Sequence, residues 1–286
     1  MRQELIDLYD QYTHSAIGRR SFMVRLAKLT GGAAAAAGAF AVLHPTNSAE
    51  AAMIPENDPR VKGARIGYPG KTGEVKGYLA VPASGGKSGA VIVIHENRGL
   101  NPHLEDVARK LAVDGFVAFA VDLLSPMGGT PSNEDTARDM IGKLDNDSTV
   151  ENLVALVSFL EKHPASNGKV GVVGFCWGGQ KVNQLAVAAP GLDAAVSYYG
   201  RQVSEADTAK IQAPLMLHYA GEDANINGGI AAYEAALKKH NKRYEVHMYP
   251  GSQHAFNNDT NESRYHKPSA DQAWSRTVAF FKKNLA

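Results

Sequence analysis

The chain has 286 residues, 44% apolar and 21% charged, which is enough for a full core and excludes a disordered or collagen-like polymer. Thirty basic side chains face 29 acidic ones, a formal net charge of +1, so no overall field is available to hold nucleic acid. The single cysteine, Cys176, rules out a disulfide within the chain and a four-thiolate metal site.

In chain order, residues 1–51 come first and read as a targeting segment outside the fold. Arg19-Arg20 is followed by Ser21-Phe22-Met23, and the run from Leu29 to Leu43 has no charge and only Thr30 as a polar residue. That run is shorter than the ~20 residues a membrane-spanning helix needs, and it suits the apolar region of a signal peptide. Ala49-Glu50-Ala51 fits the small-x-small pattern of a cleavage site. Together these features resemble a twin-arginine export signal, which implies the export machinery as a partner and the bacterial periplasm as destination. The stretch ahead of the arginines is long and carries both signs of charge. The competing reading is a mobile N-terminal helix that stays attached to a cytoplasmic protein. Residues 52–286 read as one domain, in which acidic and basic side chains are equal in number.

Within that domain, Val75–Val81 predicts an antiparallel starting strand, closed by Pro82 and a flexible loop over 83–89. Continuous apolar runs then predict buried strands at Ala90–His95, Phe116–Val121, Val170–Phe175, Ala194–Tyr199, Pro214–Tyr219 and Tyr244–Tyr249. Helical spacing falls between them. Leu104, Val107, Ala108, Leu111 and Ala112 share one face, as do Val150, Leu153, Val154, Val157 and Leu160. Further helices are expected over 132–144, 178–189, 228–240 and 270–284, and the Pro/Gly-rich stretch 125–135 reads as a surface loop over the strand ends. This alternation predicts an α/β fold, a doubly wound, mostly parallel sheet with helices on both faces.

Cys176 lies in Gly174-Phe175-Cys176-Trp177-Gly178, the G-x-S-x-G pattern with cysteine for serine, after a strand and before a helix. The glycines suit a strained turn in which side chains would collide with backbone, and the helix start favours a thiolate. An inert cysteine at the end of a core strand is the competing reading, and the flanking glycines weigh against it. An acid and a histidine should follow, each at a strand's C-terminal end. Asp223, after the strand at 214–219, and His254, after the strand at 244–249, fill those places. Asp223 would orient the imidazole and His254 would exchange protons with Cys176 and the leaving group. Glu222 is the weaker candidate for the acid. His218 and His247 read as core histidines, and His163, His240 and His266 as surface. No His/Asp/Glu set has metal-ligand spacing, so neither a metal nor a cofactor is expected.

These motifs resemble the dienelactone hydrolase family, cysteine hydrolases of the α/β-hydrolase fold, over about residues 60–284. The resemblance implies that Glu96, in His95-Glu96-Asn97-Arg98-Gly99-Leu100, hydrogen-bonds Cys176 at rest and takes part in its deprotonation when substrate binds. Backbone N–H groups of Asn97 and Trp177 are then the expected oxyanion donors. One feature departs from the family: an arginine that holds the substrate carboxylate stands four residues after the catalytic histidine, and Asn258 occupies that position here. Arg138, from the helix at 132–144, is the candidate for part of an anion site. Hydrolysis of a small lactone or ester, such as a neutral one, is therefore expected. Two other readings are a non-catalytic ligand-binding protein that retains the fold and a redox thiol protein. The latter has no resolving cysteine in the chain.

Overall fold

The buried apolar runs form the middle of an eight-stranded sheet in the computed structural model, which describes residues 3–13, 17–43 and 54–286. The strands are β1 (Val61–Gly70), β2 (Gly73–Pro82), β3 (Ser88–Ile94), β4 (Val117–Asp122), β5 (Ser166–Phe175), β6 (Ala194–Tyr198), β7 (Leu215–Glu222) and β8 (Tyr244–Gln253). Their spatial order is β1-β2-β4-β3-β5-β6-β7-β8. The β1–β2 and β2–β4 pairs are antiparallel, and every pair from β4 to β8 is parallel. Strand β1 was not expected from the sequence. It holds three glycines and Pro69 among mostly exposed positions, so it shows neither an apolar run nor an alternation.

Helices cover both faces of the sheet. The described helices are α1 (Gln3–Thr13), α2 (Arg19–Thr30), α3 (Ala33–Leu43), α4 (Pro102–Val113), α5 (Glu134–Ile141), α6 (Asn146–Glu161), α7 (Trp177–Ala188), α8 (Glu205–Thr208), α9 (Ala224–Asn227), α10 (Ile230–Lys239) and α11 (Lys267–Leu285). Ile92 and Ile94 of β3 pack with Leu153 and Leu156 of α6, Leu185 of α7 and Leu237 of α10. Val91 and Val93 point the other way and join Leu104 and Leu111 of α4 and Phe281 of α11. Strand alternation thus feeds two apolar layers from one uninterrupted sequence run. Helix starts follow their capping residues: Asn101 accepts from Leu104 N–H with Pro102 next in the chain, and Asp145 accepts from Ser148 N–H. The helix expected over 132–144 is shorter. It starts after Asn133, which caps Thr136 N–H, and stops at Gly142.

The N-terminal helices build a small core of their own, in which Leu5, Ile6 and Leu8 of α1 meet Phe22 and Leu26 of α2 and Leu43 of α3. The chain bends by 111° between α2 and α3, and no single described helix is long and apolar enough to cross a membrane. The expected cleavage site at Ala49–Ala51 lies outside the described residues.

Candidate active site

Cys176 stands where β5 turns into α7, with φ 55° and ψ −114°, a backbone conformation that L residues rarely adopt. The turn is possible because both flanking glycines lie against backbone. A Cβ on Gly174 would come within 2.4 Å of the Gly178 carbonyl oxygen, and one on Gly178 within 2.5 Å of the carbonyl oxygens of Ile94 and His95. Cys176 N–H donates to the Tyr198 carbonyl at 3.0 Å, which ties the turn to β6. Trp177 opens α7, where the first N–H groups have no partner within the helix.

Asp223 follows β7 and caps the short α9. Its Oδ1 accepts from Ile226 N–H at 3.3 Å, and its Oδ2 lies 2.6 Å from His254 Nδ1. Both side chains are buried. Because Nδ1 is engaged with the carboxylate, the other ring nitrogen is the one left for Cys176, which lies within hydrogen-bonding reach of the imidazole. Burial pushes the imidazole towards neutrality. Cys176, once its thiol is ionised, and the Asp223 carboxylate oppose it and win, holding His254 well above the usual histidine value.

Glu96 follows β3, the strand beside β5, and shares a cleft with Cys176 and His254. Its Oε2 accepts from Asn258 Nδ2 at 2.9 Å, and its buried Oε1 has no hydrogen-bond partner among the described residues. The Asn258 amide is itself fixed, since its Oδ1 accepts from Thr260 N–H at 3.0 Å and from Thr260 Oγ1 at 2.6 Å. The residue that departs from the family pattern is therefore built into the site through Glu96. Asn97 lies at the junction of two clefts that meet at Cys176. His95 orients this loop: Nδ1 donates to the Glu96 carbonyl at 2.7 Å, Nε2 accepts from Leu123 N–H at 3.3 Å, and its ring stacks on Trp177 at 5.3 Å. Burial pushes His95 below the usual value, in keeping with a neutral imidazole that donates through one nitrogen and accepts through the other.

Arginines line both clefts. Arg98 and Arg264 face the one that holds Glu96 and His254, while Arg138 and Arg201 face the other. Arg138 is buried rather than solvated. Its guanidinium pairs with Asp135 at 3.5 Å and lies 4.1 Å from the ring centroid of Tyr12, in α1. Arg98 lies 3.5 Å from the same aspartate. Arg264, ten residues beyond the histidine, approaches the His254 carbonyl at 3.5 Å.

Tyr199 was not singled out by sequence. It follows β6 at φ 38°, its ring lies 4.9 Å from that of His254, and its hydroxyl is buried. Burial, then the negative charges of Glu96 and Cys176, hold its phenol well above the usual tyrosine value. Its sequence signal was the position alone, one residue past a strand beside the cysteine strand. Of the rival acids and histidines, Glu222 is exposed and His218 is buried between Thr277 and Tyr249. His247 is half-buried, its ring stacked on that of His218 at 5.6 Å and its Nε2 3.4 Å from Glu245. His163, His240 and His266 are half-buried, His266 through a 2.7 Å contact with Ser269. Among the described residues no His/Cys/Asp/Glu group is arranged to hold a metal ion.

A mostly parallel eight-stranded sheet, with a strained turn at Cys176 after its fifth strand and an acid and a histidine after its seventh and eighth, defines the α/β-hydrolase fold. The model of the dienelactone hydrolase family matches residues 75–285, and this chain belongs to that family of hydrolases. A second family model, described as YqhI-like, matches residues 1–32. A Bradyrhizobium protein named "Probable 2-oxo-3-(5-oxofuran-2-ylidene)propanoate lactonase" is 32% identical over 231 residues, which covers 76% of this chain and 92% of that one. A Saccharolobus solfataricus protein named "Putative carboxymethylenebutenolidase" is 31% identical over 260 residues, covering 76% and 97%. The crystal structure of a Klebsiella pneumoniae protein named "Putative Dienelactone Hydrolase" superimposes with a TM-score of 0.70 at 27% identity, covering 78% of this chain and 98% of that one.

Proposed function

We propose that the chain cleaves a carboxylic ester or lactone through Cys176, His254 and Asp223, by way of an acyl-thioester. The observation that carries this reading is the buried 2.6 Å contact between Asp223 and His254, with Cys176 on its strained turn in reach of the same imidazole. Cys176 Sγ attacks the carbonyl carbon, and the carbonyl oxygen takes the negative charge. The N–H groups of Asn97 and Trp177 hold that oxyanion, each contributing roughly 3 kcal/mol if well placed. When the C–O bond breaks, His254 gives its proton to the departing alkoxide and the thioester remains. A water then attacks the thioester. His254 takes the proton of the water and returns it to the sulfur as the acid leaves. Glu96 acts earlier, accepting the thiol proton when substrate enters, and it passes that proton back to His254 at the end of the turnover, which restores both groups; its buried Oε1 supports that role. Arg138 and Arg264 would bind the remainder of the substrate, a role supported by their lining the two clefts at Cys176.

The test is a panel of lactones and short esters run with the parent and with Cys176→Ala. The variant should fold normally and lose activity by about a thousandfold or more, as expected when a nucleophile is removed. Parent-like rates on any substrate the parent hydrolyses would refute the assignment.

We also propose that residues 1–51 direct twin-arginine export to the periplasm. The Arg19-Arg20 pair followed by the apolar run supports this reading. N-terminal sequencing of periplasmic material should begin at Ala52, and an intact N-terminus in that fraction would overturn it.

A further inference from the structure

The export reading leaves α1 unexplained, since a signal needs neither a long amphipathic helix ahead of its arginines nor a surface to receive it. The structure gives α1 such a surface. Tyr9 and Tyr12, three residues apart and so on one helix face, both point at the hydrolase domain. Tyr9 is 4% exposed and lines the same cleft as Cys176, Glu96 and His254. The Arg264 guanidinium covers its ring at 4.8 Å. Burial holds the Tyr9 phenol up to about 12, with Arg98 and Arg264 pulling the other way, so the ring sits there neutral. Tyr12 is fully buried under Arg138, its hydroxyl donates to Asp135, and Arg19 pairs with that carboxylate from the start of α2. The same two rings also pack within the apolar cluster of α1, α2 and α3, where Tyr12 stacks on Phe22 at 4.5 Å and Tyr9 meets it edge-on at 6.0 Å.

We propose that the rim formed by Arg98, Asp135, Arg138 and Arg264 is a docking surface for α1 of the same chain, and that α1, seated there, closes the approach to Cys176. Two of the arginines that face the clefts then stack on tyrosines of the chain itself, and a substrate reaches them only when α1 leaves. If the export reading also holds, loss of residues 1–51 opens the site, and the precursor is the closed form. The separate family model over residues 1–32 fits a unit with a role of its own beside the hydrolase domain.

The test uses the full chain and alkylation of Cys176 by iodoacetamide, followed by intact mass. Only one cysteine is present, so one label is one event. Alkylation requires no turnover, so its outcome is independent of whether the chain hydrolyses esters. Tyr9→Ala should speed labelling about tenfold, since it removes the ring that fills the cleft and its stack with Arg264. Tyr12→Phe removes the hydroxyl contact to Asp135, Arg19→Ala removes the ion pair to Asp135 with the stack on Phe40, both leave the hydrolase core untouched, and each should speed labelling about threefold. These two carry the test alone if Tyr9→Ala fails to fold. Labelling rates equal to the parent's in the folded variants would overturn the proposal.

Discussion

Asp223 divides one carboxylate between two tasks, with Oδ1 on the α9 cap and Oδ2 on His254. His254 is raised by Cys176 and Asp223, so the stability it contributes is complete below the unfolded imidazole value of about 6.5 and is lost as pH rises through its raised folded value. Asp223→Asn removes one of those two charges. Its imidazole should therefore lose its proton at lower pH than in the parent, as followed by NMR of the ring; an unchanged titration would separate Asp223 from His254. Asn258 is a different case. Asn258→Ala removes the only hydrogen bond found for Glu96 among the described side chains and should lower the hydrolysis rate about tenfold, the scale of one hydrogen bond to a charged group. A parent rate would mean that Glu96 needs no holding. Cys176, Asp223 and His254 were legible in the sequence because each sits in a local pattern at a strand end. The Asn258–Glu96 bond spans 162 residues and joins the loops after β3 and β8, which three strands separate in the sheet, so no local pattern announces it. The substrate question likewise changed once Arg264, ten residues beyond His254, proved to face the cleft.

At the level of elements, the strands that the sequence shows best are those buried on both faces, because their apolar content is continuous. Strand β1 escapes because an edge strand pairs on one side only and its residues face solvent. The end of β5 also differs, since pairing begins at Ser166, ahead of the apolar run, where backbone hydrogen bonds rather than side chains define the strand. The turn between β5 and α7 is the tightest junction in the site. Gly178→Ala should cost about 2–3 kcal/mol in urea unfolding, because the added methyl meets backbone that cannot yield. Gly228→Ala, whose Cβ would have its nearest neighbour at 3.5 Å, is the control and should stay near parent stability. Equal stabilities for the two would remove the steric account of the elbow glycines. Helix α5 and the N-terminal helices show the opposite limit. The helix holding Arg138 was expected, whereas residues 1–51 were read as a targeting segment outside the fold, because a docking partner far away in the chain leaves no mark on local periodicity.

For the whole molecule, the sheet unites groups of different character. The Cys176 turn belongs to the strands: Cys176 N–H donates to the Tyr198 carbonyl and Tyr199 N–H to the His218 carbonyl, at 3.0 and 2.7 Å, so β5, β6 and β7 end in successive rungs of one ladder. Glu96, Asp223 and His254 come from loops beyond that ladder. Amide hydrogen exchange should therefore find Cys176 and Tyr199 protected up to global unfolding, and the segment from His254 to Asn261 exchanging through smaller openings. Comparable protection in both places would contradict this division. Its consequence concerns ageing and heat: the protein should lose its histidine geometry while the thiol is still held in place, so inactivation would precede melting and reverse on cooling as the loop closes again.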